Sequence, residues 1–336
     1  MSTFSKNVQK VKDAFAKIKT ALAGKGVTVP DGVKLSDVPA LVDGISTGTP
    51  ALCTFELTYS DGTKAVETTS EGAVRLYNRA TEYSRNVDDD TPRLTGVSIV
   101  ADQDTEYGSA VGMCAGCEQL RSVSLPMGFC NGSGSVAEMF EYCSALESLV
   151  LPAGFGAGVT RARNMFFGCS MLASLHISDG FCAGENGLTR ADAMFYACAS
   201  LTSLKFPAGF GQRISNAAEM FMYCSSLTSL TLPAGFGSGL VDVQDMFCEC
   251  SALEHIVPLD PELEIGEDGS NGVLCVPVSF SLSDSPLDAD SVAVVIKSLP
   301  AVESARTLTL SSTAYAHVTD ALRGVANTKN WTVASA

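Results

Sequence analysis

Residues 139–156 read MFEYCSALESLVLPAGFG, and the stretch returns at 194–211 as MFYACASLTSLKFPAGFG and at 220–237 as MFMYCSSLTSLTLPAGFG. The shared unit is Met-Phe-x-x-Cys-x-x-Leu-x-Ser-Leu-x-Leu-Pro-x-Gly-Phe. Its Met-Phe pairs fall at Met139-Phe140, Met165-Phe166, Met194-Phe195, Met220-Phe221 and Met246-Phe247, with a degraded copy at Met113. Copies are 26 residues apart except for one step of 29, where Ala183 to Ala193 carries three extra residues. A period of this length marks a solenoid, in which each small unit buries its core only against its neighbours. Such an architecture presents a long surface, which points to binding and away from a catalytic pocket.

Within one copy, Met139, Phe140, Cys143 and Leu146 sit at i, i+1, i+4 and i+7, which predicts one face of a short helix. Leu149 and Leu151 then alternate with Ser148 and Val150, the period of a half-buried strand. Pro152 ends that strand, Gly154 permits a turn, and Phe155 plugs the corner. Each repeat is therefore expected to be a strand, a Gly-rich corner and a helical turn, stacked so that like residues form columns. The earliest strand is Leu94 to Val100, because Leu94 lies 26 residues before Leu120.

In these residues the sequence resembles the BspA-like leucine-rich repeat family, over about half the chain and in register with its Cys, Leu, Pro and Gly-Phe. The resemblance implies an α/β leucine-rich repeat solenoid used in adhesion and surface recognition, without enzyme activity. The stretch VTVPDGVKLSDVPALVDGIST (27–47) resembles an element near the start of bacteriophage and prophage tail-fibre proteins. TLTLSSTAYAHVTDALRGVANTKNWTVA (307–334) resembles the C-terminal ends that accompany such repeats in phage tail and surface proteins.

Three further regions flank the solenoid, which is expected over 94–259. Residues 1–48 form an N-terminal helical segment, in which Phe4, Val8, Val11, Phe15, Ile18 and Leu22 make a heptad seam ended by Gly24 and Gly26. That seam is either an oligomerisation helix, with three chains expected, or an amphipathic helix lying on the solenoid end. Residues 49–93 read as a small β cap module: Cys53, Phe55, Leu57 and Tyr59 alternate with polar neighbours, Asp61-Gly62 is a hairpin turn, and Val74 and Leu76 continue the pattern. Residues 260–336 read as an α/β cap with a helix at Asp288 to Leu299, a strand at Arg306 to Leu310, a helix to about Asn327 and Trp331 as a core anchor.

Composition narrows the function. Net charge is −15; residues 1–45 carry seven lysines against four aspartates, a net +3, which leaves −18 for the rest. An acidic solenoid repels phosphate backbones, so no nucleic-acid partner is expected. No apolar run approaches a membrane span, and residues 1–20 hold five lysines and no apolar h-region, so synthesis and folding in the cytosol are expected. Twelve cysteines raise a disulfide framework, but Cys117, Cys143, Cys169, Cys198, Cys224 and Cys250 occupy one slot of successive repeats. That placement reads as a column of buried, reduced thiols.

Several motifs have plain structural explanations. Gly154-Phe-Gly156-Ala-Gly158 invites a dinucleotide-loop reading, yet near copies recur at Gly209 and Gly235, as corner geometry would require. Cys114-Ala-Gly-Cys117 has metal-ligand spacing but no second pair, so neither metal nor cofactor is expected. Of the three histidines (His176, His255 and His317), His176 and His255 fall on repeat strands with no nucleophile motif near either, and the repeated Ser122, Ser148, Ser174, Ser203 and Ser229 form a column that reads as structural. The candidate binding face is the varying strand column Ser124, Val150, His176, Lys205 and Thr231. The alternative is the outer face, where Tyr142, Phe167, Tyr196 and Tyr223 follow Met by two or three residues and either offer ring faces for a glycan or protein or wedge between adjacent helices. The expected protein is a non-enzymatic phage or phage-derived tail fibre, a virion component contacting a host-surface protein or glycan and joined to other tail proteins through its N-terminal region. The alternative is a bacterial cell-surface adhesin of the same repeat family.

Overall fold

The computed structural model describes residues 53–69, 93–101, 110–132, 134–182, 187–266 and 268–336. The chain divides into two compact units, Met1–Leu52 and Cys53–Ala336. The first unit, with the Phe4 to Leu22 seam, lies outside the described residues, as do Val74 and Leu76.

The second unit begins with an antiparallel hairpin, β1 (Cys53–Tyr59) and β2 (Lys64–Thr69). The Asp61 carboxylate accepts from both the Thr63 N–H (2.9 Å) and the Thr63 hydroxyl (2.7 Å), which closes the turn at the expected place. Those bonds hold its pKa below the usual value, the Thr63 hydroxyl contributing most. β1 also pairs antiparallel with β3 (Leu94–Ala101), which pairs in parallel with β4 (Ser122–Ser124), so hairpin and first coil share one sheet of order β2-β1-β3-β4. Phe55 and Leu57 stand opposite Ile99 and Val97, and all four are buried.

The repeats then stack. One side of the coils is built from β4, β6 (Ser148–Leu151), β8 (Ser174–Ile177), β9 (Ser203–Lys205), β10 (Ser229–Leu232) and β11 (His255–Pro258), paired in parallel as β6-β8 and β9-β10-β11. In β6 and β8 exposed and buried residues alternate as the period-two pattern requires. A second side, past the Gly-Phe corner, carries the short β5 (Gly134–Ser135) and β7 (Val159–Arg161) and single bridges Arg161–Arg190, Arg190–Asn216 and Asn216–Asp242. The three extra residues of the long coil fall between Phe181 and Arg190. Phe155 and Phe181 stack before them, and Phe166 and Phe195 stack across them. The Phe181–Phe210 stack and the Arg161–Arg190 bridge also cross the long step, whereas β8 and β9 on either side of it lie in separate sheets.

The Met-Phe band is where the structure departs from expectation. It is a chain of turns, not a helix. Met139 N–H donates to Val136 O and Cys143 N–H to Phe140 O, while Phe140 N–H donates to Met165 O (2.9 Å) and Tyr142 N–H to Phe167 O (2.7 Å) in the next coil. An α-helix sends every N–H to the residue four back in its own chain. Here alternate donors leave sideways to join coils, and Glu138 (φ 60°) and Tyr142 (φ 57°) take left-handed backbone to turn them outward. Two four-residue turns in succession return side chains inward at nearly helical spacing, so the sequence pattern alone does not separate the two.

Like residues form columns inside. Phe140, Phe166, Phe195, Phe221 and Phe247 stack at 5.5–5.6 Å between ring centroids. Phe129, Phe155, Phe181, Phe210 and Phe236 make a second ladder at the corner. The six register cysteines are buried and free. Five of their thiols donate to a carbonyl of the preceding coil, as Cys169 Sγ does to Phe140 O and Cys224 Sγ to Phe195 O, both at 3.1 Å. Burial pushes the pKa of Cys117, Cys169 and Cys224 up to about 12.

Beyond the repeats, β12 (Phe280–Leu282), β13 (Arg306–Leu310) and β14 (Trp331–Ser335) form a separate parallel sheet. It is connected by true helices: α1 (Ala289–Ser298), α2 (Ser312–Tyr315) and α3 (Asp320–Thr328). α1 covers the end of the solenoid. Ile256 N–H on the last strand donates to the buried Ser291 Oγ (2.9 Å), and His255 Nδ1 lies 2.8 Å from Asp288 Oδ2, the carboxylate that also caps α1 by accepting from Ser291 N–H. Trp331 is the core anchor expected of it, edge-on to Phe280 with its Nε1–H donating to Pro300 O at 2.8 Å.

Candidate recognition surface

Outward residues of the strand side form two rows across the stack, because parallel strands in register place like positions side by side. One row runs Ser122, Ser148, Ser174, Ser203, Ser229 and His255; the other runs Ser124, Val150, His176, Lys205, Thr231 and Val257. The ladders set Val150 beside His176, and Lys205 beside Thr231. All five candidates of the second row are exposed except Thr231, which is half-buried; Val150, an apolar residue, is 56% exposed. The serines are a correction to the sequence reading. Ser122, Ser148, Ser174 and Ser203 are exposed beside the candidate row and Ser229 is half-buried, and their hydroxyls hold no partner among the described residues. They therefore enlarge the available face rather than brace the interior.

The turn side carries the aromatic alternative. Tyr142 is 50% and Tyr223 42% exposed, while Phe167 and Tyr196 are half-buried. With turns in place of helices, the rings do not wedge between helices but stack along the coils. Phe167 and Tyr196 lie face to face at 4.4 Å, and Tyr142 and Tyr223 close the two ends edge-on at 5.3 and 5.5 Å. The alternation of spacing after Met also has a cause. Tyr142 and Tyr223 occupy the left-handed position themselves, whereas in the two middle coils that position holds Gly168 and Ala197 and the aromatic sits one residue earlier. A Cβ on Gly168 would meet Tyr142 Cδ1 at 2.8 Å, so the small residue makes room for the neighbouring ring.

Other sequence candidates resolve into structure. A Cβ on Gly158 would meet the Gly132 carbonyl at 2.6 Å, so the glycine-rich corners serve close approach of successive coils. Cys114 is fully buried beside the thiol column. Among the described residues no three His, Cys, Asp or Glu side chains converge as a metal site, and no helix is long and apolar enough to cross a membrane. Arg163 and Arg190 both pair with Asp192 (3.1 and 3.0 Å) at the rim of the turn band. The sequence held no signal for that cluster beyond isolated charges.

The parallel strands, register columns and Leu-x-Leu alternation define a leucine-rich repeat solenoid. Its repeat region matches the family described as BspA type leucine rich repeat region, in six copies over residues 113–208 and 137–268. Comparison with curated proteins and with solved structures gives no match.

Proposed function

We propose that this protein is a non-enzymatic recognition protein of the surface-adhesin type, which contacts its target through the strand side of the solenoid. One observation carries the reading. The interior positions of successive coils repeat the same residues, while the exposed row on that side changes from Ser124 to Val150, His176, Lys205 and Thr231. A constant scaffold with a varying exposed row can be matched to a partner one coil at a time, with no reacting group required. Within this reading the partner is a host-surface protein or glycan. The particular form we favour is a phage or phage-derived tail fibre, with residues 1–48 joining three chains and attaching them to other tail proteins. Three joined faces would raise avidity for a repetitive surface. The alternative form is a bacterial cell-surface adhesin.

Binding of labelled full-length protein to candidate cells tests the reading. The double variant His176→Ala with Lys205→Glu should bind at least about tenfold more weakly, since an exposed charge contact is reversed. Tyr142→Ala with Tyr223→Ala should bind as the parent does. The opposite pattern would move recognition to the turn side, which the half-exposed Tyr142 and Tyr223 make the second reading. Light scattering on the full chain tests the trimer, and a monomer would remove the tail-fibre form.

A further inference from the structure

The rows of the strand side do not stop at the first coil. β1 and β2 carry them onward, in antiparallel pairing, to the edge of the sheet. Lys64, Thr58, Gly96 and Ser122 line up as one row, and Val66, Glu56, Ser98 and Ser124 as the next. Where the next five coils have a serine in the first row, this coil has Gly96. Around it lies a shallow trough of about 390 Å³, with Glu56, Thr58, Lys64, Val66, Gly96, Ser98, Ser122 and Ser124 among its lining residues. The dip is narrow at that point, since a Cβ on Gly96 would meet Ser122 Oγ at 2.9 Å and Thr58 Cβ at 3.4 Å.

The lining has a definite chemistry. Four hydroxyls (Thr58, Ser98, Ser122, Ser124), one carboxylate (Glu56) and one ammonium (Lys64) face one concavity, and none of these six side chains has a hydrogen-bond partner among the described residues. Val66, 68% exposed, adds an apolar wall. The two charges cancel, so neither an anion nor a cation is favoured. A small uncharged molecule with hydroxyls around its rim and an apolar face would satisfy donors, acceptors and wall together. The volume is at the lower end of the range for small-molecule sites, about 300–1,000 Å³, enough for one ring.

We propose that this trough binds a single sugar residue, either free or at the exposed end of a glycan. The proposal rests on the strand side being the recognition surface, because Ser124, at the edge of the trough, opens the varying row. It adds the ligand class and places the ligand at the N-terminal end of that row.

Ligand-observed saturation-transfer spectroscopy on the full chain tests it, with glucose, galactose, mannose and N-acetylglucosamine as probes at millimolar concentration. At least one should show transfer. Glu56→Gln, which removes a charged acceptor, should weaken that sugar about tenfold. Gly96→Val should abolish binding by filling the trough, and Ser98→Val is the second obstruction should Gly96→Val disturb the sheet. Glu303→Gln, at an exposed carboxylate beyond the repeats, should leave sugar binding unchanged. No transfer from any probe, or transfer insensitive to both Glu56→Gln and Ser98→Val, overturns the proposal. The two readings fail separately: cell binding lost in His176→Ala with Lys205→Glu while no sugar binds removes the trough alone. Sugar binding at the trough with cell binding indifferent to those two changes removes the varying row alone. Inhibition of cell binding by the same free sugar would mark the glycan end as the natural source.

Discussion

On the strand side, Ser124, His176, Lys205 and Thr231 stand in a row whose side chains make no hydrogen bond or ion pair among the described residues. On the turn side, Tyr142, Phe167, Tyr196 and Tyr223 occupy a comparable row, yet each ring already packs on the next. The same repeat builds both sides. The difference lies in the backbone. Strand residues point straight out from a pleated ladder, so neighbours share a direction without having to touch. Turn residues are swung by left-handed positions such as Tyr142 and Tyr223, and their rings come together over the band. Outward residues of the turn side thus hold coils together, and those of the strand side remain available to a partner. Substitutions on the turn side should register in stability, and those on the strand side in binding.

The largest effect is expected just beneath the turn band. Phe195 is buried and stacks on Phe166 and Phe221, so Phe195→Ala should cost about 3–5 kcal/mol. Urea unfolding followed through Trp331, which lies in the helix-connected region, and through far-ultraviolet dichroism measures it. Coincident loss of both signals would show one cooperative unit; early loss of dichroism alone would show that the two kinds of coil unfold separately.

Next comes the thiol column. Cys169→Ser puts a more strongly hydrated and smaller group in the buried column, even with the Phe140 carbonyl there to accept from it, and should cost about 1–3 kcal/mol. The same column predicts a pH dependence. The thiols of Cys169 and Cys224 titrate near 12 in the folded protein, raised by burial, and near the ordinary value of about 8.5 when unfolded. Above that ordinary value the unfolded chain binds fewer protons than the folded one, so stability falls with rising pH. The contribution is complete below about pH 8.5 and is lost progressively up to about 12. Cys169→Ala should flatten that alkaline decline; an unchanged slope would show that the thiols do not set it.

A smaller effect tests the fit between ring and backbone. Gly168→Ala, at φ 72° and against Tyr142, should cost about 1–2 kcal/mol, and part of the cost should vanish when Tyr142→Ala is present. Full additivity of the two changes would show that the ring does not press on this position. Smallest of all, Ser148→Ala or Ser174→Ala on the strand side should change stability by no more than about 0.5 kcal/mol. A larger loss would return the serine row to a structural role.

Much of this was legible in the sequence because a solenoid writes each contact several times over. The constant register of Met-Phe, Cys and Leu is enough to place the strands, the buried thiols and the outward column from Ser124 to Thr231. The turn band is easily misread because Met139, Phe140 and Cys143 return inward at a period close to a helix's, and only the destination of each N–H distinguishes the cases. The serine row misleads for another reason. Repetition signals a shared environment, but Ser148 and Cys143 repeat equally well, one in solvent and one in the core. β12 escapes notice because Phe280-Ser-Leu282 is too short to show a period. The trough is invisible in sequence because it depends on Thr58 and Gly96 being neighbours across β1 and β3, with Ser122 next in line. No spacing along the chain records that.

The separation of the two sides is tested most directly by differential chemical labelling of the full-length protein, free and bound to its target cells. An amine-directed reagent reports Lys205 and a phenol-directed reagent reports Tyr142 and Tyr223. The strand-side account predicts that Lys205 is shielded by the target while both tyrosines stay as reactive as in the free protein. Shielded tyrosines with Lys205 fully reactive would contradict it.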